Sequence, residues 1–182
     1  MGKLRLRRIE KPDIDPVFDC GNASINAKLK ETSCYMDVLQ YAYLYEIRID
    51  DTLVGYYRLS FRIIDLDLLP EDLSEYYAEE PPVCTAIHLD FIAIASQWQE
   101  QKVGTYALKL VMDGIKDRLC SEWPVRLFTL EALQDKISWY QHLGFRLCRK
   151  EDAANIGKPT VLMFWDCLYD SQRLETYLDS WQ

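Results

Sequence analysis

Residues Val83 to Ala95 form a long apolar run rich in β-branched side chains, and it breaks off at the short polar stretch Ser96 to Lys102. Apolar residues then return at Val103, Ala107, Leu110, Val111, Ile115 and Leu119. Those spacings place one stripe along a helix. A central strand that feeds through a short loop into an amphipathic helix is a unit of mixed α/β folds, and it constrains the rest of the chain. The amides of a helix's first turn lack intrahelical partners and point outward. With the positive end of the helix dipole they make an anion site suited to a pyrophosphate. Gly104 lets the backbone approach such a ligand closely. An ordinary strand-to-helix turn has the same pattern, so this loop by itself leaves both readings open.

The flanking patterns agree with a mixed fold. Leu4, Leu6 and Ile9 nearly alternate with Arg5, Arg7 and Arg8, which predicts a first strand with a basic face, read as an edge strand guarded by charge. A helix is expected from Asn22 or Ser24 through Ile25 and Leu29 toward Met36, capped by either polar residue. Tyr41 to Ile49 and Thr52 to Ile63 read as a hairpin joined by Asp50-Asp51. A connection with a short helix around Glu71 to Tyr77 follows. Val125 to Leu130 is a further strand, and Asp135 to Leu143 a short helix ended by Gly144. Phe145 to Cys148 and Val161 to Cys167 read as a final strand pair, and Leu174, Tyr177, Leu178 and Trp181 as an amphipathic helical tail. The expected organisation is one α/β domain over residues 1–168. A C-terminal helix over 169–182 packs on it or at an interface.

Charge and composition narrow the function. There are 21 Lys and Arg against 29 Asp and Glu, a net charge of −8. An acidic chain makes a poor general nucleic-acid binder. No apolar run reaches the roughly 18 residues of a membrane span, and the first residues hold no apolar signal core, so a cytoplasmic protein is expected. The six cysteines are dispersed and form no CxxC pair, and they read as reduced thiols. With only His88 and His142 as histidines, no metal site is expected.

Two segments together resemble the GCN5-related N-acetyltransferase (GNAT) family. Gln99-Glu100-Gln101-Lys102-Val103-Gly104 is similar to its Gln/Arg-x-x-Gly-x-Gly/Ala loop, with Lys102 in place of the first glycine. Trp139-Tyr140-Gln141-His142-Leu143-Gly144-Phe145 resembles its Tyr-x-x-Leu-Gly-Phe signature. The resemblance implies a twisted, mostly antiparallel central sheet flanked by helices, with a splayed strand pair for coenzyme A. It also implies transfer of an acetyl group from acetyl-CoA to an amine. A narrower likeness, carried by Phe18-Asp19-Cys20-Gly21-Asn22 and Val54-Gly55-Tyr56-Tyr57-Arg58-Leu59-Ser60, is to the toxin subgroup that acetylates aminoacyl-tRNA.

On that resemblance Ile92, Ala93 and Ile94 carry the pantetheine arm through their backbone. Gln99, Glu100, Gln101, Lys102, Val103, Gly104 and Thr105 hold the pyrophosphate. Tyr140 is the candidate general acid, since a phenol of pKa about 10 matches a departing thiolate. His88 is the candidate base, on the strand face it shares with Asp90 and Ile92. Asp90 and Glu131 are weaker alternatives. Leu133 stands where many family members have a coenzyme-binding asparagine, and Gln134 or Asp135 are the candidate substitutes.

From Ile63 to Gln101 there is no Lys or Arg beyond position 62. The stretch holds Asp65, Asp67, Glu71, Asp72, Glu75, Glu79, Glu80, Asp90 and Glu100. An acidic border attracts a cationic amine and repels phosphate. The expected acceptor is therefore a small-molecule or peptide amine, with no nucleic acid and no membrane, and with a homodimer left open. The alternatives are the toxin reaction on aminoacyl-tRNA, using Arg5, Arg7 and Arg8, and an inactive acyl-CoA-binding module.

Overall fold

The computed structural model describes residues 2–9, 14–70, 83–119, 122, 125–148 and 159–167. Its elements run β1 (Leu4–Arg8), α1 (Ala23–Val38), β2 (Ala42–Ile49), β3 (Thr52–Asp65), β4 (Val83–Ile94), α2 (Val103–Gly114), β5 (Leu127–Leu133), α3 (Ile137–Gln141), β6 (Arg146–Leu147) and β7 (Thr160–Asp166). The strands are hydrogen-bonded in the order β1-β2-β3-β4-β5-β7-β6. The pairs β1–β2, β2–β3, β5–β7 and β6–β7 are all antiparallel. This is the mixed α/β, mostly antiparallel sheet flanked by helices that the resemblance implies. The chain divides into two compact units, residues 1–61 with 88–113, and residues 62–87 with 114–182.

In the first unit, β1 is the terminal strand of the order and pairs with β2, as its charged alternation predicts. The β2–β3 hairpin turns at Asp50, which adopts φ +52°. Asn22 rather than Ser24 caps α1, its Oδ1 accepting from the Ile25 amide at 3.1 Å. Leu29 packs with Leu44, Tyr56, Phe18, Cys20 and Ala93 in one buried cluster. Gly55 is required by close approach, because a Cβ there would stand 2.4 Å from the Ala93 carbonyl oxygen. α2 buries Val103, Ala107, Leu108, Val111 and Met112. Leu110, which the stripe assigned to the buried face, is exposed, and Leu108 and Met112 fill the core instead. The α-helix ends at Gly114, five residues before the expected Leu119, and widens there into a π-turn over Ile115–Leu119.

In the second unit, β5 and β7 pair from Leu127↔Asp166 to Leu133↔Thr160, and β6 adds outside β7. The core gathers Ile64, Leu69, Ala86, Leu127, Cys148 and Phe164. Arg126 donates Nε and a terminal nitrogen to the two oxygens of buried Asp166, at 2.9 and 2.6 Å. The expected helix around Glu71 to Tyr77 and the C-terminal helix over 169–182 lie outside the described residues.

Candidate active site

The loop between β4 and α2 is braced from several sides within the first unit. The Ala95 amide donates to the Val54 carbonyl at 2.9 Å, and the Ser96 amide to the Asp19 carbonyl at 3.0 Å. Gln99 Nε2 donates to the carbonyls of Cys20 and Ile94, at 2.8 and 2.9 Å. The Gln99 side chain therefore ties the loop to the strand end and to the segment before α1. Gln101 Nε2 likewise donates back to the Gln97 carbonyl at 2.9 Å. Asp19 completes the clasp, its Oδ1 accepting from the Gly21 amide at 2.7 Å and from Asn26 Nδ2 at 2.6 Å. Those donors hold its carboxyl below the usual carboxylate range.

Beyond this brace the backbone turns left-handed twice, at Glu100 (φ +62°) and Lys102 (φ +61°). The Tyr106 amide donates to the Lys102 carbonyl at 3.0 Å, which makes Lys102 the cap of α2 and Val103 to Thr105 its first turn. Lys102 offers no acceptor, and no carboxylate stands in that turn. Alternating handedness before a helix start gathers successive amides into a concave anion-binding nest. An anion can settle there without displacing a built-in cap. Nearby in sequence, the indole N–H of Trp98 is buried with no hydrogen-bond partner among the described residues. A donor-rich, cationic helix start of this kind fits the diphosphate of acetyl-CoA. Val103 is buried, while Ile92 and Ile94 are half-buried to either side of buried Ala93.

The candidate bases on β4 are placed differently from one another. His88 is only 1% exposed. Asp90 accepts from Arg58 Nε at 2.8 Å and from Ser60 Oγ at 3.0 Å, so both its oxygens are engaged. Arg58 is itself buried and lies over the Phe91 ring, 5.1 Å from its centroid. Asp90 thus serves a buried ion pair rather than an acidic border. Arg58 and Ser60 were not among the expected site residues. Their signal is the strand alternation: Arg58 and Ser60 occupy the same face of β3 as buried Tyr56, where an arginine demands a carboxylate.

In the second unit, α3 ends in a Schellman turn. The Phe145 amide donates to the Tyr140 carbonyl at 3.1 Å and the Gly144 amide to that of Gln141 at 3.0 Å, with Gly144 at φ +93°. The hydrophobic contact that accompanies this motif is Tyr140 against Phe145, ring centroids 5.7 Å apart. The Trp139 ring also lies against Tyr140, centroids 4.6 Å apart. The Leu-Gly-Phe sequence therefore fixes the tyrosine three residues before its glycine-ended turn. Burial raises the pKa of the Tyr140 hydroxyl, which keeps it protonated. Glu131 is half-exposed, accepting from Thr160 Oγ1 at 2.8 Å and lying 3.5 Å from Arg62. Leu133 precedes a 3₁₀ turn over Gln134–Lys136, and Asp135 there pairs with Lys136 at 2.9 Å.

Cys20 and Cys84 thiols are pushed up by burial, which speaks against an acyl-cysteine step at either. Of the expected acidic border, Glu71, Asp72, Glu75, Glu79 and Glu80, with Tyr76 and Tyr77, lie outside the described residues.

No family description and no curated protein matches the sequence. The fold does match solved structures along almost its whole length. A tyrosine-to-phenylalanine mutant of KacT has TM-score 0.75 at 23% identity, covering 90% of this chain and 95% of that one. AtaT complexed with acetyl-methionyl-tRNAfMet has TM-score 0.75 at 19% identity, covering 97% and 99%. A mutant AtaT toxin bound to the C-terminus of the antitoxin AtaR and acetyl-CoA has TM-score 0.67 at 18% identity, covering 91% and 94%. This chain has their fold. The proteins it resembles are seen with a tRNA, an antitoxin and acetyl-CoA. That corrects the expectation of a small or peptide amine acceptor with no nucleic acid. The correction has a physical root: net charge averages over a surface, whereas nucleic-acid contact needs only one local basic face.

Proposed function

We propose that this chain is a toxin-type N-acetyltransferase that moves an acetyl group from acetyl-CoA to the α-amino group of an aminoacyl-tRNA. The observation that carries this reading is the near end-to-end likeness to AtaT in its complex with acetyl-methionyl-tRNAfMet. The engagement of the candidate bases among the described residues, set beside the ordinary pKa values of amines, is consistent with it. Among the candidate bases, His88 is buried, Asp90 is saturated by Arg58 and Ser60, and Glu131 is shared with Thr160 and Arg62. A lysine-like amine, with a pKa of about 10.4, needs a strong base to attack at neutral pH. An α-amino group titrates near 8 and is partly neutral already. An α-amino acceptor therefore asks less of a catalytic base than a lysine-like one.

Acetyl-CoA, when bound, supplies the activated acetyl thioester. Backbone amides of Glu100 to Thr105 bind its diphosphate, with Lys102 adding a charge. The backbone of Ile92 to Ile94 orients the pantetheine arm. Tyr140 Oη holds a proton for the leaving thiolate; burial keeps it protonated but makes it a weaker acid than a free phenol, so the proton moves only as the thiolate's charge develops beside it. Proton removal from the amine goes to water, with His88 reached only through a relay.

The test is thiol release from acetyl-CoA against individually charged tRNAs, deacylated tRNA, polyamines and aminoglycosides. Release with one or more charged tRNAs, and acetyl found on the amino acid, is the expected outcome. Calorimetric binding of acetyl-CoA with no transfer to any charged tRNA would overturn it and leave an acyl-CoA-binding module.

A further inference from the structure

One face of the β2–β3 hairpin changes character along its length. The register puts Leu6, Ile47 and Gly55 on the same side as Arg8, Tyr45 and Tyr57. Alternation adds the directly paired Tyr43 and Leu59, and then Phe61, while Tyr41 stands just before β2 begins. Ile47 and Tyr57 are buried, but Tyr41 is 68% and Phe61 57% exposed. The rings between them are ordered. Tyr45 and Tyr57 stack with centroids 4.7 Å apart at 9°, and the Arg8 guanidinium lies 3.7 Å from the Tyr43 centroid. Tyr43 is further held by its hydroxyl, which donates to Gln40 Oε1 at 2.7 Å.

The adjoining edge is cationic against the trend of a chain of net charge −8. Arg5 stands opposite Arg48, and Arg7 opposite Glu46. One carboxylate oxygen of Glu46 serves both Arg7, at 3.3 Å, and Arg48, at 3.2 Å. Like charges facing each other across a strand pair are destabilising unless an anion joins them. A second copy of this chain docked edge to edge would set arginines against arginines, whereas a polyanion would neutralise them.

Exposed rings on a sheet face that also carries the Arg8 guanidinium, with Arg5 and Arg7 on the opposite face of the same edge strand, are what unstacked bases and their phosphates recognise. We infer that Tyr41, Tyr43, Phe61 and Arg8, with Arg5 and Arg7 on the edge, hold the single-stranded 3′ end of the aminoacyl-tRNA. The inference rests on the proposed reaction and adds where the RNA is gripped: bases stack on the rings, and phosphates pair with the arginines.

The experiment uses the full chain with Tyr41→Leu, Phe61→Leu, the double variant, and Arg5→Gln with Arg7→Gln. Leucine keeps the apolar surface and removes the stacking plane. Each leucine should raise the KM for charged tRNA by roughly tenfold, since base stacking on a ring is typically worth 1–3 kcal/mol. The KM for acetyl-CoA should stay put, and tryptophan at either position should restore tRNA binding. The paired glutamines should flatten the salt dependence of tRNA affinity by roughly 0.7 in log–log slope per charge removed. If the unaltered protein transfers acetyl to charged tRNA and the double leucine variant keeps its KM within about twofold, the inference falls while the function stands. If the variants instead change the sedimenting mass in step with KM, the face joins copies of the chain, and the inference falls. Absence of transfer to any charged tRNA removes the proposed function and the inference with it.

Discussion

Among the turns that take the left-handed backbone, the one before α2 and the one after α3 do so at different cost. After α3 the residue is Gly144 at φ +93°, where glycine meets no steric penalty. Before α2 the residues are Glu100 and Lys102, at φ +62° and +61°. Side-chain-bearing residues in that region cost about 1–2 kcal/mol each. The first turn spends nothing beyond a helix ending and serves to fix Tyr140. The second stores strain beside an uncapped helix start, the kind of place where strain accompanies ligand binding. The contrast separates a turn that carries no strain from one that stores it.

The comparison breaks first at Tyr140. Replacing it with phenylalanine leaves the Schellman turn and its ring packing intact, so only the proton is lost. Turnover should fall by roughly 10²–10⁴-fold with acetyl-CoA affinity little changed. A rate within about twofold of the parent, measured by thiol release, would leave Tyr140 a packing residue of a stable turn.

Gly104→Asp strikes the other turn, placing a carboxylate at the positive end of α2. Calorimetry should show acetyl-CoA affinity reduced by about tenfold or more, from charge repulsion and lost close approach. Unchanged affinity would separate the strained loop from the coenzyme.

Gly144→Ala sharpens the contrast by putting a Cβ at φ +93°. A loss of about 1–3 kcal/mol is expected, which for a chain of this size is roughly 2–4 °C in Tm per kcal/mol. Lys102→Gly should act in the opposite sense, raising Tm slightly by relieving strain, while acetyl-CoA binding weakens severalfold through the lost charge. Should both substitutions move Tm downward, the difference between the two turns would vanish.

The smallest effect concerns the clasp under the loop. Donors from Gly21 and Asn26 hold the Asp19 carboxyl below its ordinary pKa of 3.8. A depressed carboxylate stabilises the fold above its unfolded value, and that contribution fades as pH falls through the lower folded value. The Tm of Asp19→Asn should therefore be lower than the parent's at pH 7, and the gap should close below about pH 4. A gap that persists in acid would assign the effect to the altered hydrogen bonds alone.

Much of the fold was legible in local pattern. The hairpin at Asp50-Asp51, the helix after Asn22, the strand–loop–helix and the glycine-ended turn all follow from spacings of a few residues, and the structure places them within a few positions. Helix ends were less legible. α2 stops being α-helical at Gly114 although apolar spacing continues to Leu119: the chain goes on as a π-turn over Ile115–Leu119, in which Ile115 is buried. The alternation in β1 marks its place at the sheet edge. The −8 net charge is a sum over the whole surface and does not report the three arginines gathered within one strand.

What the sequence by itself determined is therefore local: which segments extend, which coil, where Gly144 must end a helix, and that Tyr140 sits three residues before its Leu-Gly-Phe turn. These depend on side-chain period and on backbone sterics, which act over a handful of residues. What only the tertiary structure decided is pairing across long separations. Arg58 and Asp90 stand 32 residues apart, Gln99 and Cys20 79 apart, and Ser96 and Asp19 77 apart. Strand register sets the first of these, and a shift of one residue would turn Arg58 away from Asp90. The left-handed turns at Glu100 and Lys102 belong to the same class. Neither residue favours that conformation locally, and it persists because Gln99 and Gln101 anchor the loop on either side.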